Sequence, residues 1–195
     1  LGFSDHVKEI IGRFELKSKI RHMAGKDVLL DVLEKFVSPY INLTPHDKED
    51  PDGNKLPPLS NLGMGYVFEE LIRKFNEDNN EEAGEHFTPR EVIELMTHLV
   101  FDPIKDNLPL TITVYDPACG SGGMLTESQN FIEERYPAAN RDIYLYGKEI
   151  NDETYAICKS DMMIKGNNPE NIRVGSTLTT DEFVGTKFDF MLSNP

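Results

Sequence analysis

Apolar residues recur at helical spacing from the start of the chain to about residue 43. Val7, Ile10, Ile11 and Phe14 form one such set, and Val28, Leu29, Val32, Leu33, Phe36 and Val37 a second, stopped by Pro39. These predict amphipathic helices that pack on one another or on a partner. Residues 44–61 hold four prolines and no apolar period, and predict a loop or linker. Helical spacing returns over 62–78, with Met64, Val67, Phe68, Leu71, Ile72 and Phe75 on one face. A polar, acidic run from Asn76 to Glu82 ends it. Thr88-Pro89-Arg90-Glu91 has the form of a capping box with Pro at the first helical position. The helix it starts buries Val92, Ile93, Leu95, Met96, Leu99 and Val100.

The pattern then changes to alternating strands and helices. Leu110–Tyr115 is a β-branched apolar run that ends on Asp116, and a helical pattern runs from Met124 to about Arg135. Asp142–Ile150 reads as a second strand. Asn151 caps a helix through about Lys165, whose apolar surface comes from Tyr155, Ala156, Cys158, Met162 and Met163. Ile172–Val174 is a short third strand and Lys187–Ser193 a fourth. Such alternation predicts an α/β fold with a parallel sheet. The chain divides into a helical N-terminal region, 1–78, and a domain over 84–195.

Between the first strand and its helix lies Asp116-Pro-Ala-Cys-Gly-Ser-Gly-Gly-Met-Leu125. Strand, acid, glycine turn and helix make a ligand cradle, because glycine lets the backbone approach a bound molecule and parallel strands bind ligands at their C-terminal ends. The turn lacks the Lys-Ser/Thr of a phosphate-binding P-loop and the G-x-G-x-x-G of a dinucleotide site. A carboxylate just before the glycines repels pyrophosphate and suits a cationic or hydroxyl-bearing ligand. S-adenosylmethionine, with its ammonium, sulfonium and ribose diol, meets that requirement. Glu149, at the end of the second strand, is placed to grip a ribose diol.

Charge sets a limit on partners. With 34 acidic and 20 basic residues the chain carries a net −14, a poor composition for gripping DNA phosphates unaided. Two cysteines without metal-ligand spacing, no signal peptide and no transmembrane-length run point to a reduced, cytoplasmic setting with no membrane contact. Cys119 reads as a packing residue. His46, Asp47, Glu49, Asp50 and Asp52 read as a solvated acidic loop, so no metal is expected.

Residues 116–125 closely resemble the cofactor motif of N6-adenine DNA methyltransferases, and most of all the modification subunit of type I restriction–modification systems. The likeness covers about residues 60–195. It implies a Rossmann-like methyltransferase sheet, here its first four parallel strands in spatial order 3-2-1-4, preceded by the helical region. It implies S-adenosyl-L-methionine as cofactor, held by Asp116, Ala118, Gly120, Ser121, Gly122 and Gly123. In the family the Phe-Thr-Pro segment, here Phe87, Thr88 and Pro89, contacts the methionine part; Glu85 and His86 lie beside it as pocket candidates. Glu149 takes the ribose and Ile150 packs on the adenine. The family often has an acid where Ser176 stands, so a third contact there is open. The resemblance also implies DNA as substrate through a separate specificity subunit, with a restriction subunit, in a hetero-oligomer.

Asn194-Pro195 resembles the start of the family's Asn-Pro-Pro-aromatic motif; the second Pro and the aromatic are not in this sequence. The chemistry explains the motif. The adenine N6 lone pair is delocalised, so the amine is a poor nucleophile. The Asn194 side-chain carbonyl and the Pro195 backbone carbonyl can accept its two N–H bonds, which returns electron density to nitrogen and aims it at the sulfonium methyl. An apolar edge beside Phe188, Phe190 and Leu192 suggests a fragment, inactive on DNA by itself. Three other readings share these residues: an amino-methyltransferase acting on protein glutamine or RNA, a stand-alone DNA methyltransferase, and a non-catalytic assembly module.

Overall fold

The computed structural model describes residues 2–78 and 88–195, which divide into two compact units, 1–69 and 70–195. In the first unit the helical pattern forms α1 (Asp5–Arg13), α2 (Leu16–Gly25) and α3 (Leu29–Phe36). Ser4 caps α1 by accepting the Val7 amide. None of the three helices has a buried residue, and Leu30, Leu33 and Phe36 of α3 stay exposed.

The stretch expected to be a loop folds instead into a small antiparallel hairpin. Its strands are β1 (Lys48–Glu49) and β2 (Lys55–Leu56), paired Lys48 with Leu56 and Glu49 with Lys55. No apolar alternation announces it because polar side chains hold it. Asp50 accepts the amides of Asp52 and Asn54 at 3.0 and 2.8 Å. The Asn42 side-chain amide donates to the carbonyls of His46, Leu56 and Pro57. Among the described residues no His/Cys/Asp/Glu group could hold a metal ion.

Helix α4 (Asn61–Asp78) follows, and α5 (Arg90–Phe101) opens the described part of the second unit's core. Two expectations for α5 need correction. Its cap is Pro89, not Thr88, and no side chain caps it. Its buried face is Ile93, Thr97 and Phe101, with Met96 and Val100 beside it, while Val92, Leu95 and Leu99 are exposed. Only a narrow stripe meets the core, so hydrophobicity alone overstated the buried face.

The sheet consists of β3 (Thr111–Asp116), β4 (Asp142–Glu149), β5 (Ile172–Val174) and β6 (Phe190–Met191). All pairs are parallel and the order is β5-β4-β3-β6, the 3-2-1-4 arrangement expected. Helices α6 (Gly123–Arg135) and α7 (Asp152–Ile164) complete the crossovers. The core joins Ile112, Val114 and Leu145 of the strands to Leu125, Ile132 and Met162 of these helices. Asn151 caps α7 through the amides of Glu153 and Thr154, as expected.

The fourth strand is shorter than its apolar run, because Asp189 leaves ladder geometry. Its carboxylate accepts the Thr113 amide and hydroxyl at 2.9 and 2.8 Å, so a side chain replaces backbone pairing. The apolar residues expected at an open edge are covered by the unit itself. Leu192 is buried, Phe190 meets Phe101 edge-to-face at 4.9 Å, and Phe188 stacks on Tyr115 at 4.5 Å. No helix among the described residues is long and apolar enough to cross a membrane.

Candidate active site

The site begins where β3 runs out. Asp116 is the last strand residue and is 2% exposed. Its carboxylate accepts the Ala118 amide at 3.0 Å. Burial pushes its pKa from 3.8 up to about 6; the nearby Glu149 charge adds to the rise, and the Ala118 amide and Ser193 hydroxyl oppose it. Ser193 Oγ is itself buried, close enough to favour the carboxylate but, among the described residues, in no well-formed hydrogen bond.

The glycine turn is locked from below. The Cys119 amide donates to the Lys148 carbonyl at 2.9 Å, tying the turn to β4, and the Gly122 amide closes on the Cys119 carbonyl at 2.8 Å. Gly122 has φ +91°, and a Cβ there would lie 2.8 Å from Cys158 Sγ. This position therefore requires glycine on both conformational and steric grounds. Cys119 and Cys158 are free and buried, 3.9 Å apart, in keeping with a packing role.

Glu149 closes the second side. One carboxylate oxygen accepts the Gly120 amide at 3.0 Å and the other the Asn151 amide at 2.7 Å. The acid is thus fixed against the turn before any ligand arrives. Ile150, next in sequence, is 70% exposed, an apolar plate at the rim where a planar ring can lie.

These parts surround a cleft of about 580 Å³. Asp116, Ala118, Gly120, Ser121, Gly123, Glu149 and Ile150, which the resemblance assigns to the cofactor, all line it. Thr88, Asn194 and Pro195 line it too, though far away in sequence. Asn194 donates from its side-chain nitrogen to the Thr88 hydroxyl at 3.2 Å.

Other expected members stand elsewhere. Gly122 supports the turn from behind, against Cys158, and does not line the cleft. Pro89 is exposed at the start of α5. Ser176 is outside the cleft lining: its carbonyl accepts the amides of Thr179 and Thr180, and this turn is held by buried Lys148, which donates to Thr180. Glu85, His86 and Phe87 lie outside the described residues. Ile93, Cys119, Met124 and Asn151 also line the cleft and were not anticipated. The capping role of Asn151 beside Glu149 was the one signal available for them.

The cleft fits S-adenosylmethionine. A buried, desolvated carboxylate favours a cation, a strand-end carboxylate a diol, an exposed apolar side chain a ring, and a glycine turn close backbone approach.

Sheet order and cleft together define the fold of S-adenosylmethionine-dependent methyltransferases. A putative class I methyltransferase of Listeria monocytogenes shares that fold, with a TM-score of 0.54 at 16% identity, over 69% of this chain and 39% of that one. The N-6 DNA methylase family model matches residues 60–195, and the chain belongs to that family. It is similar to the type I restriction enzyme HindI methylase subunit of Haemophilus influenzae, 27% identical over 133 residues, covering 68% of this chain and 28% of that protein. It is similar also to the MjaVII methylase subunit of Methanocaldococcus jannaschii, 30% identical over 155 residues, covering 67% and 25%. Among solved structures, the type I restriction-modification methyltransferase subunit of Streptococcus thermophilus has 30% identity and a TM-score of 0.53, covering 68% of this chain and 28% of that one. The chain thus spans roughly a quarter of the length of these relatives.

Proposed function

We propose that this chain carries the cofactor half of the active site of an adenine-N6 DNA methyltransferase, the modification subunit of a cytoplasmic type I restriction–modification system. The observation that carries the reading is convergence. Asp116, Glu149 and Asn194, from the ends of different strands, line one cleft. S-adenosylmethionine supplies an electrophilic methyl when bound. Asp116 and Glu149 bind its polar groups, and Ile150 supports its ring. The Asn194 carboxamide oxygen and the Pro195 carbonyl accept N–H bonds from the substrate amine and orient its lone pair. The target base has to leave the DNA stack to reach them.

The net charge of −14 supports a division of labour in which a specificity subunit grips the DNA and a restriction subunit cuts it. The Haemophilus influenzae, Methanocaldococcus jannaschii and Streptococcus thermophilus proteins favour this over a protein or RNA substrate, since each is a restriction-system methylase or methyltransferase subunit. Calorimetric titration with S-adenosylmethionine tests the cofactor site. Saturable binding by the chain, weakened at least about tenfold in Asp116→Ala, is the expected result. A folded chain with no binding, or unchanged binding in the variant, refutes it. Methyl transfer to adenine in DNA is then measured with the full-length protein and its partner subunits.

A further inference from the structure

We infer that Thr88 is a positioning residue for Asn194: its hydroxyl oxygen holds the carboxamide NH2, so that the carboxamide oxygen faces the cleft. This rests on the methyl-transfer reading for its consequence, but not for its geometry.

An asparagine side chain has two unlike ends. The oxygen accepts hydrogen bonds and the nitrogen only donates them. Only the oxygen can draw an N–H of a substrate amine; the nitrogen would oppose its own hydrogens to those of the amine. The terminal torsion of asparagine is broad and nearly two-fold, so the neighbours decide which end points where. Asn194 is exposed in the segment after β6. Among the described residues the side chain bonded to it is Thr88, whose hydroxyl can donate or accept and here accepts, Nδ2 to Oγ1 at 3.2 Å across 106 residues of sequence.

Thr88 is free to act in this way because it does not cap α5. The cap is Pro89, whose carbonyl accepts the Val92 and Ile93 amides, and no side chain contributes. A hydroxyl that sequence logic assigns to a helix end is turned across the cleft mouth instead. Both residues line that cleft.

The test is a pair of substitutions, Thr88→Val, which keeps the branched shape, and Thr88→Ser, which keeps the hydroxyl. The first readout needs neither cofactor nor DNA. In the chain labelled with 15N-asparagine, the Asn194 side-chain amide protons, assigned by their loss in Asn194→Asp, are followed for shift and solvent exchange. Faster exchange and a changed shift in Thr88→Val, restored in Thr88→Ser, are expected. The second readout is a split between kcat and KM in the full-length protein with its partners. Thr88→Val lowers kcat about five- to tenfold, the scale of one hydrogen bond, leaves the KM for S-adenosylmethionine within about twofold, and serine restores the rate. Unchanged Asn194 signals in Thr88→Val overturn the inference. So does a rise in the cofactor KM of about tenfold with kcat unchanged, which would make Thr88 a cofactor contact. Failure of the wild-type chain to bind cofactor counts against the proposed function and leaves the Asn194 readout intact.

Discussion

Asp116→Asn isolates the cost of the buried acid. The carboxyl is 2% exposed, and its pKa rises from 3.8 to about 6 on folding, chiefly through desolvation. A raised folded-state value means that folding favours the protonated form. Below about pH 4 the group is protonated in both states and costs nothing. As pH rises toward 6 the unfolded chain releases its proton first, and stability is lost until the folded group has ionised too. Linkage puts the loss at about 3 kcal/mol at neutral pH.

Asparagine keeps the acceptor for the Ala118 amide and removes the charge. The variant is therefore expected to match wild type near pH 4 and to exceed it by roughly 1–3 kcal/mol near pH 7.5. Urea unfolding followed by far-UV circular dichroism at several pH values measures this. Taking the difference between the two proteins removes the general repulsion of an acidic chain, which both share. A variant less stable than wild type near pH 7.5, or a difference that does not change with pH, refutes the reasoning.

The same acid predicts that cofactor affinity in the wild type rises with pH through about 6, as the carboxyl becomes charged, and that Asp116→Asn flattens this dependence; calorimetry in two buffers of different ionisation heat reads the proton released. Glu149→Gln retains acceptors for only part of its work on the Gly120 and Asn151 amides, so cofactor binding weakens by about tenfold or more, while loss of the Glu149 charge lowers the Asp116 pKa, visible as a shifted pH dependence. Gly122→Ala meets Cys158 Sγ at 2.8 Å in a left-handed backbone and destabilises the fold by roughly 2–4 kcal/mol in urea unfolding. Asp189→Ala removes two bonds to Thr113 and costs about 1–2 kcal/mol, with faster hydrogen exchange at the Leu192 amide, which pairs with the Tyr115 carbonyl.

Elements with a strong period or a side-chain signature were legible in the sequence. Strand β3, the glycine turn and the acid between them follow from a β-branched run ending on Asp116, and the Asn151 cap from a residue type with one strong preference. The parallel order followed from crossover handedness together with the family resemblance. What escaped was set by contacts distant in sequence. The hairpin over 48–56 rests on Asn42 and Asp50 bonding to backbone, which leaves no hydrophobic pattern. Thr88 was assigned to a cap because local rules describe only neighbours, and its observed partner is 106 residues away. Phe188 and Phe190 looked like an exposed edge because nothing local shows that Tyr115 and Phe101 meet them.

The cleft also explains why two acids tolerate one another there. A cavity that receives a cation must hold negative charge before the cation arrives, and in a dry site that charge costs stability. The chain divides the problem unequally. Glu149 has both oxygens on backbone amides. Asp116 accepts one amide, is the more deeply buried, and carries the raised pKa. Glu149 is therefore the fixed member, and Asp116 the one whose charge is held at a cost that a bound cation relieves. If so, cofactor should stabilise the wild type more than Asp116→Asn by a margin that grows with pH up to neutrality, since the variant has no penalty left to relieve.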